Sequence, residues 1–442
     1  MKTPVSDFIE RYAKSGTSRF HMPGHKGKNI LGIEKYDITE IYGADVLSTA
    51  EGIIEESEKN LTALYGSGKS FYITGGSTTA ICAMLAMIKK PEGEKTYVLA
   101  ARNVHKAFVH GSALLDIEAD WLMPRESNGI LSCMVEMAEV EALLSSSGGK
   151  YSAVYLTSPD YLGKMADIKG ISEVCHRYGL PLIVDNAHGA YLKFLDESMH
   201  PIDLGADICC DSAHKTLPVL TGGAYLHISD RAKDFTSSAR EKIALFSSTS
   251  PSYLIMKSMD MCNSYLSESF QKELAKTVER VNAIKSFLSE KGFEVLESEP
   301  LKIVINAAKA GYSGEELSEM MRRAKMEAEF SDDDYLVLMV SPKNTKRDFT
   351  RLKKFFGKIK IKAEIKREFK PLPYPEREMS VREATFKKSE ITKTEDAIGK
   401  ICASVTVSCP PAVPVVISGE RITEDVQKAL LYYGIDEIKT VI

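Results

Sequence analysis

The chain of 442 residues is as informative in what it lacks as in what it carries. It has eight cysteines but no C-x-x-C pair, so neither a zinc ribbon nor a disulfide framework is indicated. No apolar run approaches the roughly 18 to 20 residues needed to span a bilayer. The first residues, MKTPVSDFIERYAKSG, lack the apolar core of a signal peptide. No internal repeat and no low-complexity segment interrupts the pattern. A net charge of −4 gives no reason to expect a nucleic-acid partner. The expectation is a reduced cytoplasmic protein with no membrane and no nucleic-acid partner, long enough for two or three domains.

What is present is an alternation of short apolar runs with helical patterns. Between residues 61 and 230 the strand candidates are KSFYITGG, KTYVLAAR, ALLDIEADWL, YSAVYLTSP, LPLIVDNAH, ADICCDSAHK and GGAYLHIS. Segments such as TTAICAMLAMIKK and DIKGISEVCHRYG have helix length and period between them. Continuous apolar strands separated by helices predict an α/β domain with a parallel, doubly wound sheet covered on both faces. After a helical stretch near 255–291 the pattern restarts as a small α+β unit: KIVINAA, GEELSEMMRRA, YLVLMVS, TKRDFTRLKKFFGKI. A Pro-rich joint, FKPLPYPERE, leads to a last segment containing CPPAVPVVISGE. The expected plan is an N-terminal arm (1–50), a large α/β domain (51–291), a small α+β domain (292–370) and a C-terminal segment (371–442).

In a parallel sheet ligands bind beyond the carboxyl ends of the strands, so the polar residues ending each apolar run are the candidates. FYITGG runs into Gly76, Ser77 and Thr78 at a helix start, where free backbone N–H groups and hydroxyls can cradle a phosphate. Alone this is weak, because Ser and Thr cap most helices. His105 follows a second strand. LPLIVD ends in Asp185, followed by Ala187 and His188; ADICCD runs into Ser212, His214 and Lys215. A lysine at a strand end is usually a solvated residue and an aspartate there often a turn cap. Together, in this order, they are what a pyridoxal-phosphate site requires. Lys215 would supply the amine that condenses with the aldehyde, and Asp185 would keep the ring nitrogen protonated. A charge pair at ~4 Å is worth about 4 kcal/mol at an effective dielectric of 20, enough to raise a ring pKa by roughly three units before desolvation.

These residues stand in motifs that resemble a family, the pyridoxal-phosphate-dependent Orn/Lys/Arg decarboxylases in their short form without an N-terminal wing domain. The shared blocks are HMPGHKGK, DITEIYGADVLSTAEGIIEESEKNLTALYG, TGGSTTA, RNVHK, DNAHGAY, DSAHKTLPVLTGGAYLH, STSPSYLIMKSMD, SVREA and CPPAVPVVISGE. The resemblance spans nearly the whole chain. It implies an aspartate-aminotransferase-like fold (fold type I) with a mostly parallel seven-stranded sheet. It implies pyridoxal 5'-phosphate as cofactor and decarboxylation of arginine, lysine or ornithine as the reaction. Carried over by position, Lys215 holds the cofactor and Asp185 pairs with the ring nitrogen. His105 stacks on one ring face and Ala187 on the other, while Gly76, Ser77, Thr78, Ser212 and His214 surround the phosphate beside His188. Ser248 and Thr249 match a loop reaching a neighbouring subunit's phosphate, which implies a homodimer or higher homo-oligomer with sites at the interface. The absent wing domain argues by analogy against a decamer.

The chain departs from the family at three points. Gly43-Ala44-Asp45-Val46-Leu47 stands where many relatives read G-L-D-D-L, His188 where larger relatives often have tryptophan, and PPAVP where P-P-G-x-P is commoner. Asp45 and Glu420 are the candidates to receive the substrate's side-chain cation. The alternative reaction is transamination or another lyase step, for which Arg382 could clamp an α-carboxylate.

Three other readings fall away. Tyr65–Ser70 resembles a P-loop, but Ala63 stands where its first glycine must be, and the order is helix to strand. The stretch 343–370 carries 12 Lys or Arg, yet Phe349, Leu352, Phe355, Phe356 and Ile359 share a face, so the charges read as its solvated side. His21 and His25 have i, i+4 spacing, but Pro23 and Gly24 preclude a regular helix between them, and no metal is expected.

Overall fold

The computed structural model describes residues 1–123, 129–366, 372–404 and 413–442. All seven strand candidates form one sheet: β1 (Lys69–Ile73), β2 (Thr96–Ala101), β3 (Ile117–Leu122), β4 (Ala153–Thr157), β5 (Leu182–Asp185), β6 (Ile208–Asp211) and β7 (Ala224–Ile228). Their order is β1-β7-β6-β5-β4-β2-β3. β2 to β6 run parallel, while β7 is antiparallel to both β6 and β1. Six strands therefore share one direction and deliver their carboxyl ends to one edge.

Helices cover both faces, which is why the strands are apolar throughout rather than alternating. On one face lie α3 (Gly76–Met87), α4 (Lys106–Leu115) and α8 (Thr236–Ala244). On the other lie α5 (Met137–Ser146) and α6 (Ile168–Arg177). The short α7 (Ala213–Thr216) follows β6 directly. The arm supplies α1 (Pro4–Lys14), whose Val5 and Ile9 pack among residues of α2 (Ile53–Tyr65) and α9 (Tyr253–Tyr265). α2 ends at Tyr65 and the chain turns through Gly66, at φ +62°, into β1, so the Tyr65–Ser70 segment does run helix to strand.

A π-helical turn at Leu266–Phe270 joins α9 to α10 (Gln271–Glu290), a long connection to a second sheet. That sheet has the order β10-β11-β9-β8, from β8 (Glu294–Leu296), β9 (Lys302–Asn306), β10 (Phe330–Ser331) and β11 (Tyr335–Met339). α11 (Gly314–Arg323) and α12 (Lys346–Phe356) pack on it. Phe349 and Phe356 of α12 are buried, and its Lys and Arg side chains face solvent. Arg367 and Lys370, in the same basic stretch, lie outside the described residues.

The C-terminal segment does not extend the small sheet. Val413, Val415, Val416, Ile422, Val426 and Leu430 join the core beneath α5 and α6. Its α13 (Val381–Phe386) packs against α4, and β12 (Ser389–Lys393) pairs antiparallel with β13 (Glu437–Val441) beyond α14 (Glu424–Tyr432). Most of the PPAVP departure, Pro410 to Ala412, lies outside the described residues. Among the described residues, a buried ion pair fastens the segment. Arg102, just past β2, meets Glu420 through Nη1–Oε1 at 2.6 Å and Nη2–Oε2 at 2.7 Å, and donates Nε–H to the Pro414 carbonyl at 3.2 Å. Arg102 also lies over the Trp121 ring.

Breaking a buried pair from one side strands a charge, which typically costs about 3–5 kcal/mol, whereas replacing both partners by apolar residues can be nearly neutral. Arg102→Met should therefore lower unfolding free energy by about 3–5 kcal/mol in a denaturant titration, and Arg102→Met/Glu420→Leu should recover most of it. Equal losses in single and double variants would contradict this account.

Candidate active site

The strand ends at the carboxyl edge bring the sequence candidates together. α3 begins at Gly76, whose φ of +71° is left-handed and whose Cβ position faces open space out to 4 Å. Its N–H donates to the Gly222 carbonyl at 2.8 Å, tying the α3 start to the entry of β7. Ser212, after β6, donates its hydroxyl to Ser77 Oγ at 2.8 Å, so hydroxyls that follow β6 and β1, the two strands flanking β7, meet one residue beyond Gly76. Thr78 is exposed next to them. His214 is held by its own backbone loop, with Nδ1 against the Gly223 carbonyl at 2.9 Å.

Asp185 is 2% exposed, and its Oδ1 accepts the Ala187 N–H at 3.1 Å and the Cys210 thiol at 3.7 Å. Burial pushes its carboxyl above the usual range, while the Lys215 charge pulls the other way. Lys215 sits on α7 with Nζ at 3.0 Å from His188 Nε2. His105 caps α4: at φ −63° and ψ 148°, its Nδ1 accepts the Ala107 N–H at 3.1 Å, which fixes the ring orientation. Burial, then the Lys215 and Lys106 charges, push His105 down to about 4. Ser248 and Thr249 are exposed and line a small pocket with Ser48, Tyr72 and Arg240.

Three sequence expectations are corrected. Asp45 is not open to a substrate cation: its carboxylate accepts the N–H groups of Val46, Glu51, Gly52 and Ile54 at the start of α2. Burial raises its carboxyl, but those four donors more than offset this and hold it below the usual value. Glu420 is likewise consumed, by Arg102 and the Ile417 N–H. Arg382 donates Nη1–H to the carbonyls of Ala113 and Leu114 at 2.9 Å, capping the end of α4 opposite to His105.

Two networks were missed by the sequence reading. Asn186 donates to Asp211 Oδ1 at 2.7 Å, and Asp211 Oδ2 meets His200 Nε2 at 3.1 Å and His227 Nε2 at 3.3 Å, all buried. Burial would raise Asp211, but the two histidines hold it well below the usual carboxylate range. His200, Cys209 and Asp211 lie close enough to hold a metal ion, yet the carboxylate's hydrogen bonds account for the arrangement without one. His21 and His25 pair with the Tyr12 hydroxyl and Asp37, respectively. The second missed network joins His188 to Lys302, Nδ1 to Nζ at 3.1 Å. Its only sequence signal was a lysine opening an apolar strand.

The seven-stranded sheet with one reversed strand and a lysine beyond β6 defines an aspartate-aminotransferase-like α/β enzyme. Similarity to known proteins takes this further. The family "Orn/Lys/Arg decarboxylase, major domain" matches residues 3–306, and its C-terminal domain matches residues 362–437. The chain belongs to the Orn/Lys/Arg decarboxylases, a family of pyridoxal-phosphate-dependent carboxy-lyases. It is 30% identical to the uncharacterized protein YaaO of Bacillus subtilis, over 97% of this chain and 94% of that protein. It is 26% identical to the arginine decarboxylase of the same organism, over 96% of this chain and 92% of the relative. Its fold matches the lysine decarboxylase of Francisella novicida with a TM-score of 0.82 at 18% identity, covering 100% of this chain and 81% of the other. A Sphingomonas wittichii serine palmitoyltransferase matches at 0.56 and 14% identity, over 79% and 82% of the two chains. Among the described residues no helix is long and apolar enough to cross a membrane.

The depressed His105 value sets a pH dependence. An unfolded histidine titrates near about 6.5, so between that pH and about 4 the unfolded chain binds a proton the fold refuses. Stability should fall as pH drops through this window, and His105→Asn should flatten that part of the profile. An imidazole resonance titrating near 4 by NMR is the expected readout; a midpoint near 6.5 would contradict the burial argument.

Proposed function

We propose that the chain binds pyridoxal 5'-phosphate through Lys215 and decarboxylates arginine, lysine or ornithine to the corresponding amine. The observation that carries this is the convergence, at one sheet edge, of a buried carboxylate ending β5, a lysine beyond β6 and the α3 N-terminus. The residues fit the cofactor. A buried Asp185, its carboxyl raised by desolvation, is matched by a cationic ring N–H, which would return it to its charged form. The open space at Gly76, one residue before the Ser77 hydroxyl that meets Ser212, suits a phosphate at a helix start.

Lys215 would hold the cofactor, Asp185 its ring nitrogen, and His105 and Ala187 its two faces. Gly76, Ser77, Thr78, Ser212 and His214 would hold the phosphate, with His188 beside Lys215. When bound, the cofactor supplies an electron sink for the carbanion left by departing carbon dioxide. His105 is suited to stacking, because its Nδ1 is committed to capping α4 and its ring stays neutral above about pH 4. Lys215 Nζ, or a histidine nearby, would return a proton to the substrate Cα. Exposed Ser248 and Thr249 would reach the phosphate of a second copy, making a homodimer with its sites at the interface. The basic-amino-acid substrate is supported by the relatives named arginine decarboxylase. Nothing in the placement of Arg382 favours the aminotransferase alternative.

The experiment is to supply pyridoxal phosphate with arginine, lysine or ornithine and measure carbon dioxide and amine. One substrate should release both stoichiometrically, with Asp185→Asn slowing release at least about a hundredfold if the ring charge is worth about 3 kcal/mol. Cofactor binding without amine from any of the three would overturn the substrate assignment.

A further inference from the structure

Lys302 opens β9 yet is 1% exposed. A lysine so deeply buried needs partners, since an uncompensated interior charge is costly. Its Nζ lies 3.0 Å from Glu299 Oε1, an ion pair off the hydrogen-bond axis. The same ammonium donates to the carbonyls of Tyr161 at 3.2 Å and Asp160 at 3.5 Å. Glu299 Oε2 accepts the Tyr191 hydroxyl at 2.5 Å, and that hydroxyl oxygen accepts the Leu301 N–H at 3.2 Å. The turn carrying Glu299 and Lys302 is thereby fixed against the α/β domain.

His188 stands between the two lysines, Nδ1 at 3.1 Å from Lys302 Nζ and Nε2 at 3.0 Å from Lys215 Nζ. An ammonium only donates, and a neutral imidazole has one donor and one acceptor. Lys302, paired with Glu299, donates to Nδ1. The imidazole proton then sits on Nε2 and points at Lys215 Nζ, which accepts it only as an uncharged amine. The mirror arrangement would need an uncharged Lys302 beside Glu299 and would forfeit that ion pair. An imidazolium is disfavoured as well: burial above all, with the Lys302 charge adding to it, pushes His188 well below its ordinary value.

We propose that Lys302 is a positioning residue which, through His188, holds Lys215 as the uncharged amine. This rests on Lys215 being the cofactor-binding lysine, because an amine attacks an aldehyde only when uncharged. Other charged and titratable groups face the same atoms. Asp185 favours the ammonium form of Lys215, and His105, neutral above about pH 4, adds no opposing charge. Around Lys302 stand Asp160, whose carboxyl burial raises, and the Tyr161 ring at 5.7 Å; Lys285 faces Glu299.

The test uses the full chain freed of cofactor. Lys215 modification by trinitrobenzenesulfonate is followed against pH by peptide mass spectrometry in the wild type, Lys302→Arg, Lys302→Met and Lys302→Met/Glu299→Leu. The wild-type midpoint is expected below the ordinary lysine value of about 10.4. Lys302→Arg keeps the charge and should keep that midpoint. Loss of the charge should raise it by about one unit, seen as roughly tenfold slower labelling at a fixed pH below the midpoint. Equal midpoints with and without the charge would overturn the proposal. A second measurement needs no substitution: nitrogen-15 shifts of His188 in the wild type should report a neutral ring protonated at Nε2. A proton on Nδ1, or an imidazolium, would overturn the proposal too. Adding pyridoxal phosphate to the wild type tests the underlying reading separately. No visible band would sink that reading, whereas a normal band beside an unmoved Lys215 midpoint would sink this proposal alone.

Discussion

The bond from Asn186 to Asp211 joins the carboxyl ends of β5 and β6, and the geometry of the site depends on it. Asp185 precedes Asn186 and Lys215 lies four residues after Asp211, so this buried hydrogen bond, together with the backbone pairing of β5 and β6, sets the spacing of the two residues proposed to hold the cofactor. Asp211 can serve as that anchor because His200 and His227 take its other oxygen, leaving its charge compensated inside the core. A buried carboxylate with unfilled acceptor positions would be costly, and one with three donors is a rigid fixture. Asp185, one residue before the fixture, is less fully compensated, and burial raises its carboxyl accordingly.

Two further buried charges bring the rest of the chain to the same edge. Arg102 leaves β2 three residues before His105 and holds Glu420, so the C-terminal segment is clamped where His105 begins its helix. Lys302 leaves the small sheet and reaches His188. The large sheet supplies the strand ends, the small sheet contributes Lys302, and the C-terminal segment contributes Glu420.

The strands were legible because burial on both faces makes them continuously apolar, and the helices because their period is unmistakable between such runs. The reversal of β7 was not legible in its residues, since AYLHI is as apolar as its parallel neighbours. The strand-end residues could be placed at one edge because a strand's last residue follows from the pattern alone. Partners could not. Asp45 and Glu420 looked like free carboxylates, but four local amides claim the first, and an arginine 318 residues away claims the second. Nor does a lysine opening an apolar strand reveal that it is buried: the burial of Lys302 depends on Glu299, Tyr161 and His188 meeting in space. Hydropathy reports what is removed from water on average, and it is silent on which buried charge meets which.

The central claim is that Lys215 is the lysine that takes the cofactor. Borohydride reduction of the protein loaded with pyridoxal phosphate, followed by digestion and mass spectrometry, tests it most directly. The account predicts one stoichiometric pyridoxyl adduct on the peptide containing Lys215, and none on the peptide containing Lys302. An adduct on Lys302 or another lysine, with Lys215 unmodified, would contradict it.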